Sequence, residues 1–144
     1  MKGVLRSLRN TDGVAAMEFA LVIPFLLLIV FATIEYGWYL TQSIVLNNAV
    51  AEAARAGALA RDWETGNSAA EDPEELARTA FIEALWIFEE TFISAYLEVH
   101  VDETSGPKRI EVLVTEVPYT PITGYLGASI LPETLAAKAV MSFP

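Results

Sequence analysis

The sequence predicts an α+β protein: a long N-terminal transmembrane and stem helix, a second amphipathic helix, and a small antiparallel β-sheet of about three strands. Three observations carry this. An unbroken apolar run extends from Val14 to Ile34, apolar residues recur every three or four positions after Asp72, and strict alternation sets in from Leu97 onward.

The run VAAMEFALVIPFLLLIVFATI holds one ionisable residue, Glu18. About twenty such residues, at ~1.5 Å each, cross a ~30 Å hydrocarbon core. The 53% hydrophobic content and mean hydropathy of +0.39 agree with a membrane segment. A cleaved secretory signal fits less well, since its apolar region is shorter and ends at a small-residue cut site. Lys2, Arg6 and Arg9 precede the run, and the chain beyond Leu40 carries most of the acid behind the net charge of -10. By the positive-inside rule the N-terminus is expected in the cytoplasm and the C-terminal part exported across the cytoplasmic membrane. Tyr36, Trp38 and Tyr39 follow the run, where amphipathic rings favour the headgroup layer, and are expected to form an outer interface belt. Membrane lipid is therefore the first expected partner. Nucleic acid is not, because a body of this sign repels phosphate.

Two residues disturb the span. Glu18 lies about one turn inside it, where an ionised carboxylate costs on the order of 2.5–3.5 kcal/mol at the membrane centre and less near the edge. Either it snorkels to the cytoplasmic headgroups, meeting Arg9 or a lipid amine, or it has a functional partner. Pro24 lacks an amide hydrogen and crowds the carbonyl of Ala20, so a kink or a locally loosened helix is expected there.

Gly13-Val14-Ala15-Ala16-Met17-Glu18-Phe19 stands between the basic leader and the apolar helix: a glycine, four residues, then Glu and an aromatic. This resembles the type IV prepilin processing site in its Flp/Tad (tight adherence) form. Ala16 to Pro24, Ile34-Glu35-Tyr36-Gly37, the alanine-rich Ala51 to Ala58 and the terminal Leu135 to Met141 are similar to the TadE-like group of minor pseudopilins. Trp38 departs from the group, which often has a basic residue after that glycine. The resemblance implies a structural component of pilus assembly rather than an enzyme, cut between Gly13 and Val14 by a prepilin peptidase. It also implies that Glu18 and Phe19 set assembly and register, with other pilin or pseudopilin subunits and the Tad assembly machinery as partners, and a place in the membrane or in a pilus.

Thr41 to Ala60 is proline-free and rich in alanine, so the helix is expected to run on as a stem, from about Thr11 to Arg61. Ile44, Val45, Ala49, Ala51, Ala53 and Ala56 are read as its small-residue face, turned either to another helix or to its own domain. Gly66-Asn67-Ser68 reads as a loop. Asp72-Pro73-Glu74-Glu75 announces the second helix by an N-cap, a first-turn proline and acids at the positive dipole end. Its core stripe is read as Leu76, Ala80, Phe81, Ala84, Leu85, Phe88 and Phe92. Leu97 to Asp102 and Arg109 to Val117 are expected to form a hairpin around the turn Glu103 to Pro107. Pro118 to Pro132 is a long connection, and Leu135 to Phe143 closes the sheet. The chain thus divides into 1–13 (basic leader), 14–40 (transmembrane helix with its belt), 41–61 (stem) and 62–144 (exported α+β domain).

Reactive constellations are sparse. With no cysteine and His100 as the sole histidine, on the polar face of a strand, neither a metal cluster nor a Ser-His-acid triad is expected. The acids lack the alternation and glycine of a calcium loop, and no glycine-rich phosphate loop is present. No catalytic residue, metal, cofactor or small-molecule substrate is expected. Two function classes remain: a cleaved assembly protein, and an uncleaved single-pass protein whose exported domain binds a protein or cell-envelope partner. The mature N-terminus, Val14 or Met1, separates them.

Overall fold

The computed structural model describes residues 11–65, 70–103, 107–126 and 130–144. The basic residues Lys2, Arg6 and Arg9, the loop at Gly66 to Ser68 and the tip of the hairpin turn, 104–106, lie outside the described residues.

Helix α1, Thr11–Ala58, is one continuous helix of 48 residues that runs through Pro24. It is followed by a 3-10 turn at Trp63–Thr65, α2 (Pro73–Ala84), the single-turn α3 (Glu90–Ile93), a second 3-10 turn at Ser94–Tyr96, and strands β1 (Leu97–Asp102), β2 (Arg109–Pro118) and β3 (Thr134–Ser142). The strands form an antiparallel sheet in the order β1-β2-β3. One face of the sheet takes the outer half of α1 over β2 and β3, with α2 packed against α1 and β1. Phe81, Leu46, Ile93, Ile110, Val50, Val112, Val114 and Val117 are the large side chains at the centre. The fold is thus the expected α+β arrangement.

Local chemistry explains the element ends. Asp72 is extended (φ -84°, ψ 114°) and its carboxylate accepts the Glu74 amide at 2.9 Å, with Pro73 in the first turn, which is an N-cap as expected. In β2 the buried series Ile110, Val112, Val114 slips by one to Val117. A β-bulge absorbs the slip: Thr115 and Glu116 stand against Ala136 alone, between the pairs Val114–Ala137 and Val117–Leu135, and Glu116 takes φ 58°. Both valines therefore face the core.

Two sequence expectations are corrected. The buried stripe of the stem is Val45, Leu46, Ala49, Val50, Ala53, Ala54, Gly57 and Ala58, whereas Ile44 and Ala51 are exposed and Ala56 is half-buried. The stripe at i, i+3, i+4, i+7 rests on the chain's own sheet and α2, and small size alone did not mark a face. At Gly57 the approach is so close that a Cβ would stand 2.8 Å from the carbonyl oxygen of Pro73. The second correction concerns α2, which stops at Ala84 because Leu85 turns extended (φ -93°, ψ 103°). Within α2 the fully buried side chains of the stripe are Ala77 and Phe81, and the break after them resets the helical phase, so that Ile93 is buried while Phe92 is exposed. The stem helix likewise ends at Ala58, three residues short of Arg61.

Candidate functional site

The two halves of α1 have opposite surroundings. From Val14 to Val30 almost every side chain is exposed, among them Met17, Phe19, Leu21, Val22, Phe25 and Ile29, and α1 is the one described helix long and apolar enough to cross a membrane. A helix apolar on all sides and free of intramolecular cover suits a lipid or helix-bundle environment. Gly13 and Val14 open this segment, and Glu18 and Phe19 stand about one turn further on, both exposed. Among the described residues nothing bonds to Glu18. Pro24 lies within the same bare segment.

Tertiary contact begins at Phe31, half-buried against Tyr125 with ring centroids 5.3 Å apart. One turn later Glu35 is 1% exposed. Its carboxylate is gripped by the connection that follows β2. Oε1 accepts the Tyr119 hydroxyl at 2.7 Å and the Ile122 amide at 3.1 Å. Oε2 accepts the amides of Thr123 at 2.9 Å and Gly124 at 3.2 Å, together with the Thr123 hydroxyl. Gly124 takes φ +66°, the left-handed conformation that lets successive amides converge on one oxygen pair. The connection closes on itself where the Tyr119 amide donates to the Glu133 carbonyl at 2.9 Å. Burial, and then the bond to the adjacent Glu35 carboxylate, push the Tyr119 hydroxyl above the usual phenol range, so that it remains a donor.

The belt residues join this clasp. Trp38 Nε1 and Gln42 Nε2 both donate to the Thr120 carbonyl at 3.0 Å. Tyr39 packs edge-on against Tyr119, centroids 5.6 Å apart, while Tyr36 is exposed. Of the three rings expected at the membrane interface, two also tether the domain to α1. A cavity of about 190 Å³ lies beside Glu35, lined by Tyr119, Pro121, Leu126, Leu131 and Pro132 among others.

Sequence reasoning meets Glu35 only within the family-like stretch Ile34-Glu35-Tyr36-Gly37, with no role given to it, and does not single out Tyr119 or Thr123. The available signal was an acid directly after an apolar run, which needs donors, together with a later stretch rich in Thr, Gly and Pro that turns tightly enough to offer its amides. The clasp is an anchoring device: its carboxylate has every near position filled by a donor. His100 projects from the solvent side of β1 beside Glu98, 3.8 Å away.

No curated protein and no solved structure matches this chain. Residues 13–55, which lie wholly within α1 and carry Gly13, Glu18, Pro24 and Glu35, match the family model described as TadE-like protein, the family that the sequence resembles.

Proposed function

We propose that the protein is a minor pseudopilin of a Tad-type pilus: a non-enzymatic assembly component held by α1 in the cytoplasmic membrane, with its α+β domain exported. The observation that carries this reading is the bare apolar segment of α1 beginning at Gly13 and Val14, with Glu18 one turn beyond them and without a partner among the described residues, inside the stretch that matches the TadE-like family. A prepilin peptidase cuts after Gly13, whose lack of a side chain suits an extended backbone in a narrow protease subsite. The new α-amine of Val14, with an ordinary pKa of about 7.7–8.0, then supplies the charge that Glu18 lacks, within one subunit or between neighbours. Pairing in low dielectric fixes the axial register of neighbouring helices, because a slip leaves two charges alone at a cost of several kcal/mol, whereas apolar helix surfaces specify register only loosely.

The test is the mature N-terminus. In cells carrying a prepilin peptidase, intact mass of the membrane-extracted protein is expected to correspond to a chain starting at Val14, and Gly13→Val is expected to leave it full length. A wild-type chain that keeps Met1 under those conditions would instead favour an uncleaved single-pass protein with an exported binding domain.

A further inference from the structure

The connection between β2 and β3 has a composition unlike the rest of the chain. From Tyr119 to Pro132 the sequence reads YTPITGYLGASILP, with no charged residue in a protein that is 19% charged. Leu131 is buried, but three of its large apolar side chains are turned outward: Ile122 is 58%, Tyr125 54% and Ile130 67% exposed. An isolated exposed isoleucine is ordinary, but three large exposed apolar side chains on one uncharged connection are more than water favours.

The position of these side chains identifies what covers them. Tyr125 meets Phe31, which lies three residues before the end of the apolar run at Ile34, about 5 Å back along the helix axis at ~1.5 Å per residue. The amides of Ile122, Thr123 and Gly124 close over Glu35, immediately after that end. Residues 119–125 are therefore held against α1 at the depth where the apolar run gives way to the domain, with Tyr125 against the outer end of that run, and Leu131, next to Ile130, lines the cavity beside Glu35. The Glu35 carboxylate, which would oppose this placement if bare, is enclosed by donors of the connection.

We propose that this connection is a second membrane contact: Ile122, Tyr125 and Ile130 seat in the boundary between headgroups and acyl chains of the outer leaflet, so that the domain rests on the lipid surface. The proposal rests on the reading that Val14 to Ile34 spans the bilayer. Lipid is the occupant because the connection meets the outer end of the span at Tyr125, is uncharged, and carries in that tyrosine a ring suited to the headgroup layer.

The chain has no cysteine, so single-cysteine variants report one position each. Ile122→Cys, Ile130→Cys, Val22→Cys and Glu64→Cys are made in the full chain, labelled with an environment-sensitive fluorophore and placed in phosphatidylcholine nanodiscs. Each is titrated with a water-soluble quencher and, separately, with lipid bearing a nitroxide near the headgroup end of its acyl chain. Labels at 122 and 130 are expected to lose most of their emission to the nitroxide lipid and little to the aqueous quencher, and the label at Glu64, beyond the outer end of α1, is expected to show the reverse. If the label at Val22 is lipid-protected while those at 122 and 130 behave like Glu64, the second contact is overturned and the span stands. If the label at Val22 is itself reached from water, the spanning reading fails and the second contact with it. Agreement between 122 and 130 guards against a local distortion at either site.

Discussion

Two glutamates on the same helix have opposite circumstances. Glu18 stands bare on the exposed segment of α1 with no partner among the described residues, whereas Glu35, about five turns further along, is 1% exposed and accepts five donors from one connection. Both are single acids at the margins of an apolar run, and a local view of the sequence treats them alike. The difference is that the fold returns to one and not to the other. Glu35 is satisfied within the chain and its chemistry is spent on holding the domain. Glu18 has no such donor among the described residues.

The comparison can be broken most forcefully at Glu35. Glu35→Ala leaves the Thr123 hydroxyl and three backbone amides without their acceptor and the Tyr119 hydroxyl with only the carbonyl of residue 35 at 3.4 Å, and orphaned donors cost about 1–3 kcal/mol each when fully buried. The expected net loss is about 3–5 kcal/mol, measured as a lowered denaturant midpoint of the domain in detergent. A variant as stable as the wild type would mean that the clasp contributes nothing. Asp72, a carboxylate with a single helix-capping bond at the Glu74 amide, provides an intermediate case. Asp72→Ala is expected to lower stability by about 1 kcal/mol in the same measurement. Glu18→Ala should lie at the foot of this series, within about 0.5 kcal/mol of wild type, with insertion and cleavage intact. Its effect is expected elsewhere, as loss of co-purification or crosslinking with partner pseudopilins. Unchanged co-assembly of the cleaved Glu18→Ala protein would remove the register role and leave snorkelling as the account of that residue.

The elements whose signals are local were legible in the sequence. Asp72-Pro73 marked the start of α2, and alternation from Leu97 and Leu135 marked strands that the sheet contains. The slip from Val114 to Val117, where the bulge lies, is not part of the sequence reading, which has Arg109 to Val117 as one regular strand. Two features had weaker signals. The stop at Leu85 has no glycine or proline to announce it, because the aromatic stretch Trp86-Ile87-Phe88 leaves the helix without any of the usual breakers. The clasp was hidden by distance along the chain: Glu35 and its donors are 84 to 89 residues apart, so neither side shows a pattern by itself. The processing site and Glu18 rest on spacing and on family likeness, and the geometry adds that the segment around them is bare.

The continuity of α1 has a mechanical consequence. At ~1.5 Å per residue its 48 residues make a rod about 70 Å long, and the described residues place no loop between its apolar end and its domain end. The connection after β2 is bolted to the rod at Glu35, and the sheet and α2 are laid along its outer half. A pull or a rotation applied at the membrane end is then carried to the sheet along one unbroken helix, as a drawbar carries the motion of a tractor. A subunit built this way reports what is done to its anchor directly through the attitude of its outer domain.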